Sequence, residues 1–522
     1  MNNATGPRRR KEPDPEQIRV RLEALLSHQE QLLADPAERR ALRRVSVTPL
    51  PAALRLNRLV PQADSLRPVL ARLGQPVPWC SDAFTLTQPE LRLGHTLEYA
   101  LGAFYLQAAA TTLAVTALDP QPGERVLDLC AAPGGKATQL AAAMDHRGLL
   151  VVNEMQRRRF PSLIGQLERC GVRHEVVTKA PGPVLARWFH NWFDRVLLDA
   201  PCSGDGIVRK DQQMLEYWSP EDARRQAQTQ VGLLRAAFHM LRPGGVLVYS
   251  TCSLSLEENE EVLLGLFSHF PGLAEMLPVK GCDGPPLPAA IASRYPAALA
   301  RCARVWPHRY DTEGAFVACL RKTGPTEWPH PEGDAATWGE AGPPDGLATA
   351  MAPAPDRPRN SGPDSPEAER PPVPAAAGQA WMQERWGLDL PDLPGQTVVA
   401  RGKYLCLEPA DAEAMRRHLP YFVRGGMRIG RRHHNHWFLS HQSVVLWGRA
   451  MTAPRVELAW EEVRALFRGE SIPLPGPAVP RQELLCTFGP WTVCRGQVEL
   501  DGCTLTGMVP LSHRRPDLTR LG

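Results

Sequence analysis

In the middle of the chain, hydrophobic residues fall into two kinds of run. Short apolar runs within Arg125–Leu129, Gly148–Val152, Glu175–Thr178, Arg195–Leu198 and Val246–Ser250 have the length and β-branched content of buried strands. Between them lie longer segments that predict helices over Ala137–Met144, Arg157–Cys170 and Ser219–Leu241. Ser219-Pro220-Glu221-Asp222 has the composition of a helix start, with a capping hydroxyl and then proline in the first turn. Pro243-Gly244-Gly245 stops that helix, and Ser255 with Glu258 suits a capping box that opens another. Strands alternating with helices at this spacing predict an α/β fold built on a mostly parallel sheet.

The flanks are patterned differently. Glu16 to Arg44 carries Ile18, Leu22, Leu25, Leu26, Leu32 and Leu33 at helical spacing, and Leu54–Phe84 reads as a small α+β module. Leu97–Leu118 reads as one mostly apolar helix ending at Asp119-Pro120. From Thr323 to Gly378 the chain is dense in proline, alanine, glycine and acidic residues without aliphatic periodicity, which predicts a disordered linker. Regular patterning resumes near Trp381. The expected division is a basic tail over 1–15, an N-terminal module over 16–96, the α/β domain over 97–322, a linker over 323–378 and a C-terminal region over 379–522.

Composition adds bounds. A chain of 522 residues is long enough for two to four domains, and 43% hydrophobic with 22% charged residues is ordinary for a globular protein. A net charge of +4 permits nucleic-acid binding without arguing for it, so a local patch must carry that reading. No unbroken apolar run of membrane-spanning length exists, and no apolar segment follows Arg8-Arg9-Arg10-Lys11 to make a secretory signal. The twelve cysteines include no Cys-x-x-Cys pair, which argues against a disulfide framework or a structural metal site. A cytoplasmic protein with reduced thiols is expected, and a reduced thiol is free for chemistry.

The first chemical signal is the run from Asp128 through Leu129, Cys130, Ala131, Ala132, Pro133, Gly134 and Gly135 to Lys136. It joins a strand to a helix, the place where open α/β sheets bind ligands, and its glycines let backbone approach the ligand closely. With neither a G-x-G-x-x-G nor a G-K-[ST] pattern, a nucleotide-like ligand without a triphosphate fits best. Glu154, ending the next strand, suits ribose hydroxyls. Cys202, in Asp-Ala-Pro-Cys-Ser-Gly, and Cys252, in Ser-Thr-Cys-Ser, each follow the carboxyl end of a strand. A parallel sheet puts those ends on one edge, so both thiols can face one cleft. A thiolate added to carbon 6 of cytosine makes carbon 5 nucleophilic toward a methyl donor; the carbon 5 proton must then leave before the thiolate can. Asp199 is placed to bond the exocyclic amine or the cofactor.

The stretches DLCAAPGGKATQL, LLDAPCSGDGIVRKD, LRPGGVLVYSTCSLSLEENEE and EGAFVACLRK closely resemble the RNA 5-methylcytosine methyltransferases of the RsmB/RsmF type, in particular the bacterial small-subunit ribosomal-RNA branch. The similarity covers residues 50–322 well and the remainder loosely. The resemblance implies a Rossmann-like sheet and S-adenosylmethionine as cofactor, held by Cys130–Lys136, Glu154 and Asp199. It also implies that Cys252 attacks the base while Cys202 assists product release. One position departs: Pro181 stands where the family carries an Asp near the adenine, so a side-chain acceptor is lost there.

The resemblance further implies a small RNA-binding unit of the PUA kind near the C-terminus. Independently, Arg424, Arg428, Arg431, Arg432, His433 and His434 crowd beside Tyr421, Phe422, Trp437 and Phe438, a mixture suited to phosphate contact and base stacking. No complementary Cys or acidic set stands near the histidines, so no metal is expected. Arg209 and Lys210, beside the Cys202 loop, are the other candidate RNA contacts. The expected partner is RNA, with 16S rRNA or the small subunit leading. Transfer RNA as substrate, or a catalytically silent RNA-binding factor, are the alternatives; retention of Cys252, Cys202 and Lys136 speaks against the silent factor.

Overall fold

The computed structural model describes residues 15–88, 90–327, 375–388, 390, 395–433 and 436–521. The basic tail, most of the expected linker and His434 lie outside the described residues. The helical run at the start is two helices, Pro15–Glu30 and Pro36–Ser46, parted where Asp35 caps the second through the Ala37 amide. Their leucines do not pack on each other alone. Leu26, Leu33 and Leu42 pack with Leu254 and Trp306, and Leu25 packs with Val208, Leu215 and Trp218. The N-terminal helices therefore cover the segments that follow both candidate cysteines.

A four-stranded sheet follows, from Ala53–Leu56 (β1), Gly74–Val77 (β2), Cys80–Leu86 (β3) and Phe104–Leu106 (β4), in the order β2-β3-β1-β4. The single helix expected over Leu97–Leu118 is instead a short helix Leu97–Ala100, then β4, then the helix Ala109–Leu118. Gly102, at φ +75°, reverses the chain where an added Cβ would collide with the Arg169 carbonyl, and Leu54 to Leu56 then capture β4 as a sheet partner. The N-terminal sheet thus reaches past residue 96, the boundary expected from sequence.

The central sheet holds the predicted strands: Arg125–Asp128 (β5), Leu149–Asn153 (β6), Glu175–Thr178 (β7), Phe193–Asp199 (β8) and Leu241–Thr251 (β9). Ala274–Leu277 (β10), Ala303–Val305 (β11) and Ala315–Lys322 (β12) complete its far edge. The order β10-β12-β9-β8-β5-β6-β7 is parallel from β9 to β7, with β12 antiparallel between β9 and β10. Successive residues point to opposite faces, and both faces are covered. Leu127, Val151 and Val196 pack toward the helices Gly182–Trp188, Pro220–Met240 and Glu260–His269. Val126, Leu150 and Leu197 pack toward Ala109–Leu118, Gly135–Ala143 and Phe160–Arg169. The helix Pro220–Met240 starts as read from sequence, with the Ser219 hydroxyl accepting from the Asp222 amide at 3.1 Å. The capping box expected at Ser255 and Glu258 does not form: the next helix begins at Glu260, and the Glu258 side chain is engaged elsewhere.

A helix, Ala375–Trp386, begins within the last residues of the stretch expected as linker and leads into two small sheets. The first joins Gln396–Arg401 (β13), Tyr404–Pro409 (β14), Met427–His433 and His436–Leu439. The second is formed by Arg455–Glu457, Ser471–Pro473, Glu483–Phe488, Trp491–Val498 and Thr504–Gly507. Between β14 and Met427, the strand Phe422–Gly425 (β15) leaves this region and pairs antiparallel with β7 at the edge of the central sheet. Arg424 anchors it, bonding Glu168 at 2.6 Å and the fully buried Glu175 at 3.2 Å. Among the described residues no helix is long and apolar enough to cross a membrane.

Candidate active site

The order β7-β6-β5-β8-β9 puts the topological switch point beside β5, and ligands of such sheets bind outside the carboxyl ends there. β5 ends at Asp128, the chain turns through Cys130–Gly134, and the helix Gly135–Ala143 departs. Gly134 sits at φ +113°, with Gln166 and Leu163 about to touch any added Cβ, at 3.3 and 3.4 Å, so the turn suits glycine on both counts. The turn borders a cavity of about 200 Å³ lined by Tyr105–Ala108, Thr111, Asp128, Cys130–Pro133, Gly135, Lys136, Asp199 and Lys210.

Asp128 opens the first motif of the sequence, but the pattern alone gives it no role. It is fully buried, and neither carboxylate oxygen has a formed hydrogen bond. Burial, then the neighbouring Asp199, push its pKa up to about 7. A buried acid so sparsely hydrogen-bonded, facing a cavity at a helix start, fits a ligand carrying both positive and negative groups, as S-adenosylmethionine does. Cys130 lines the same wall, its thiol pushed up by burial. Glu154 directly follows β6 but does not line this cavity; it accepts from the Gln156 amide at 2.7 Å and pairs with Arg159 at 3.2 Å. Arg159 also bonds the Ala132 carbonyl at 2.5 Å, so Glu154 braces the turn through it. Pro181 is exposed and caps the helix Gly182–Trp188. Before it, Asn153 ties the Leu129 and Ala180 carbonyls to the Ala180 amide and the Thr178 hydroxyl.

β8 and β9 are adjacent and parallel, with Asp199 opposite Ser250, so the chains leave the sheet side by side at Cys202 and Cys252. The two sulfurs lie 2.8 Å apart, and the Cys252 amide donates to Cys202 Sγ at 3.3 Å. The contact with Cys252, then burial, hold the Cys202 thiol well above its ordinary pKa. Asp199 accepts from Ser250 Oγ at 2.9 Å and pairs with Lys136 Nζ at 2.9 Å. Burial pushes Lys136 down, but Asp199, Cys252 and Asp128 together outweigh it and hold the ammonium above its usual range.

The two cysteine loops are fastened by exchanging carboxylates. Asp205, from the Cys202 loop, accepts from the Leu254 amide at 2.6 Å and the Ser253 hydroxyl at 3.1 Å. Glu258, from the Cys252 loop, accepts from the Ser203 amide at 2.9 Å, the Ser203 hydroxyl at 2.5 Å and Gln230 Nε2 at 2.8 Å. The Gly206 amide adds a bond to the Cys252 carbonyl at 2.9 Å. Gln29, from the first helix, closes over this clasp through the Asp205 carbonyl at 3.0 Å. Both acids sit inside the recognised motifs, yet only the fold pairs them with the opposite loop.

Of the expected RNA contacts, Arg209 is corrected. Its side chain is 1% exposed, and the guanidinium pairs with Asp311 at 2.8 Å and donates to the carbonyls of Thr48, Pro49 and Thr312. These bonds make it an internal clamp whose donors are spent on the protein, at the edge of the groove that Lys210 lines. Lys210 is exposed, pairs with Glu313 at 3.1 Å and lines both the cleft and a neighbouring groove of about 760 Å³. That groove also carries Pro49–Ala53, Leu91–His95 and Leu106–Ala108 of the N-terminal module. In the C-terminal cluster, Arg424 is consumed by its acids, whereas Arg428 and Arg431 are exposed on Met427–His433; Arg432 is half-buried on the same strand.

Known proteins match this chain in sequence and fold. The profile described as 16S rRNA methyltransferase RsmB/F matches residues 115–321, and that described as the N-terminal domain of 16S rRNA methyltransferase RsmF matches residues 23–109. Ribosomal RNA small subunit methyltransferase F of Klebsiella pneumoniae strain 342 is 34% identical over 449 residues, 84% of this chain and 86% of that protein. Its namesake in Escherichia coli strain SMS-3-5 is 35% identical over the same shares. A methyltransferase homologue from Pyrococcus horikoshii superposes with a TM-score of 0.52 at 30% identity, covering 59% of this chain and all of its own. With matches of this identity over 84% of its length, the chain belongs to the 16S rRNA methyltransferase RsmB/F family.

Proposed function

We propose that the chain acts in the cytoplasm as an S-adenosylmethionine-dependent methyltransferase of carbon 5 of a cytosine in 16S rRNA of the small ribosomal subunit. In this reading Cys252 is the nucleophile and Cys202 releases the product. The observation that carries the chemistry is the thiol pair, 2.8 Å apart, standing beside the Lys136–Asp199 pair at the carboxyl edge of one sheet. The activity for which the relatives are named, on small-subunit ribosomal RNA, carries the choice of substrate.

Cys252 adds as thiolate to carbon 6 of the base, and the electron pair of the 5,6 double bond moves to carbon 5. S-adenosylmethionine, which Asp128 and the Cys130–Lys136 turn would hold, would supply its methyl group to carbon 5 and leave as S-adenosylhomocysteine, its sulfur keeping the electron pair of the broken sulfur–methyl bond. A base then removes the carbon 5 proton, and its electron pair re-forms the double bond as the Cys252 sulfur leaves. Cys202, kept protonated by its surroundings and in contact with Cys252 Sγ, supplies a proton to the departing sulfur. Asp199, fixed by Lys136 and Ser250, is placed to accept from the exocyclic amine. The target base must leave its stack to reach this edge, and the groove leading past Lys210 is the route the surface offers.

Cys202→Ala protein incubated with S-adenosylmethionine and small-subunit RNA should accumulate a denaturation-resistant protein–RNA adduct. Adding Cys252→Ala should abolish it. No adduct, together with no methyl transfer by the wild type to subunits or transfer RNA, would overturn the reading in favour of a silent RNA-binding factor.

A further inference from the structure

A second cavity, about 440 Å³, lies where the helix Phe160–Arg169, the strands β14 and Met427–His433, and the final segment around His513 meet. It shares no lining residue with the cleft between Asp128 and Asp199. Its size falls within the range of about 300–1,000 Å³ typical of small-ligand sites.

Strand pairing builds one wall. Tyr404 stands directly opposite Arg431 across the β14 ladder, and the Arg428 guanidinium lies 4.3 Å from the centre of the Tyr404 ring. Neither arginine is ion-paired with a carboxylate among the described residues, and both are exposed. The one acid on the lining, Glu168, is already neutralised by Arg424 at 2.6 Å, whereas Arg169 and Arg515 add further positive charge. The opposite wall carries His441. Neither of its ring nitrogens is reached by solvent or has a hydrogen-bond partner, although its ring packs 4.8 Å from that of His513. Burial holds His441 neutral, with a pKa pushed down to about 3, so the ring offers one N–H donor and one acceptor.

We infer that this cavity holds one nucleotide of the RNA other than the target cytosine, its phosphate on Arg428 and Arg431 and its base between Tyr404 and His441. The inference rests on the RNA-substrate reading above and adds to it a second, non-reacting contact. An arginine pair supplies the planar fork that phosphate prefers, a guanidinium-backed tyrosine is a stacking surface, and the neutral His441 ring adds a second flat wall.

The test uses the wild-type full chain with a 16S rRNA transcript carrying 4-thiouridine, irradiated and mapped by peptide mass spectrometry. Cross-links at Tyr404, within 428–431 or at His441 are expected. Arg428→Ala/Arg431→Ala should weaken binding of the same transcript about tenfold and lower the salt slope by about 1. Arg428→Lys/Arg431→Lys, with the charge kept and the fork lost, should fall between, and an unchanged melting midpoint shows that both variants fold. Cross-links confined to other surfaces, or affinity and salt slope unchanged in the alanine variant, overturn the inference. So does tight binding of free uridine or adenosine monophosphate that the transcript fails to displace, since the occupant is then a soluble nucleotide. If the Cys202→Ala adduct forms while these arms fail, only the second contact is lost; failure of both removes the RNA reading itself.

Discussion

Glu258 offers the sharpest test of how the thiol pair is held. Its side chain is fully buried and satisfies three donors: the Ser203 amide, the Ser203 hydroxyl and Gln230 Nε2. In Glu258→Ala the hydroxyl can rotate to another acceptor, but the amide and Gln230 are fixed in place. Two stranded buried donors at about 1–3 kcal/mol each give a loss of about 2–6 kcal/mol. Glu258→Gln keeps an oxygen for the amide and Gln230, and its NH₂ can donate to the Ser203 hydroxyl, so it should lose only about 1 kcal/mol. Cys202 is next to Ser203, so the alanine variant should also loosen the sulfur pair. A displacement near 1 Å costs about 100-fold in turnover. S-adenosylmethionine affinity should hold, because the cofactor turn is braced separately through Arg159. Urea denaturation, isothermal titration with the cofactor and single-turnover methyl transfer measure the three quantities. Wild-type stability and turnover in Glu258→Ala would refute the clasp; loss of cofactor affinity equal to the loss of turnover would show that Glu258 acts on the whole cleft.

Three further outcomes are expected. Asp128 has a carboxyl raised to about 7 in the folded chain against an ordinary 3.8, so its contribution to stability falls as pH rises between these values. The doubly cationic end groups of S-adenosylmethionine favour the carboxylate, so cofactor affinity should climb by up to tenfold per pH unit toward pH 7 and then level, with proton release by calorimetry below it; Asp128→Asn should flatten that profile, and a flat wild-type profile contradicts the assignment. Arg209→Met should cost about 1 kcal/mol in stability, since water can replace it at the exposed Thr48 and Pro49 carbonyls, and leave the salt slope of RNA binding unchanged; Lys210→Ala should lower the slope by about 1 with little effect on stability. Arg424→Met should destabilise the chain by about 3–5 kcal/mol above pH 7 and by less below it. Burial already raises Glu175 to about 7, and without Arg424 protonation becomes its only relief as pH falls; denaturation curves at pH 6 and 8 that show equal losses would contradict this.

Much of the catalytic edge is written locally. Five apolar runs between Arg125 and Ser250 are strands within a few residues of where the pattern placed them, because strands buried on both faces need unbroken apolar sequence. Ser219-Pro220 starts its helix and Gly134 turns the cofactor loop for reasons confined to three or four residues of backbone. Parallel pairing alone then brings Cys202 and Cys252 to one edge, so their neighbourhood was inferable without coordinates. What lies between distant segments was not. Glu258 was read as a helix cap from local spacing, but a buried donor pair 55 residues away in sequence claimed it. Arg209 was read as an RNA contact from its charge, but three carbonyls and Asp311 surround it in the fold. Leu97–Leu118 was read as one helix from its apolarity, but β1 took three of its residues as a strand. The strand β15 and the cavity behind the helix Phe160–Arg169 exist only because the C-terminal region docks on the central sheet. Sequence by itself determined backbone preference and which face of each element is apolar, since these depend on near neighbours. Only the tertiary structure decided which buried polar group meets which, because every such partner is chosen by how elements far apart in the chain pack.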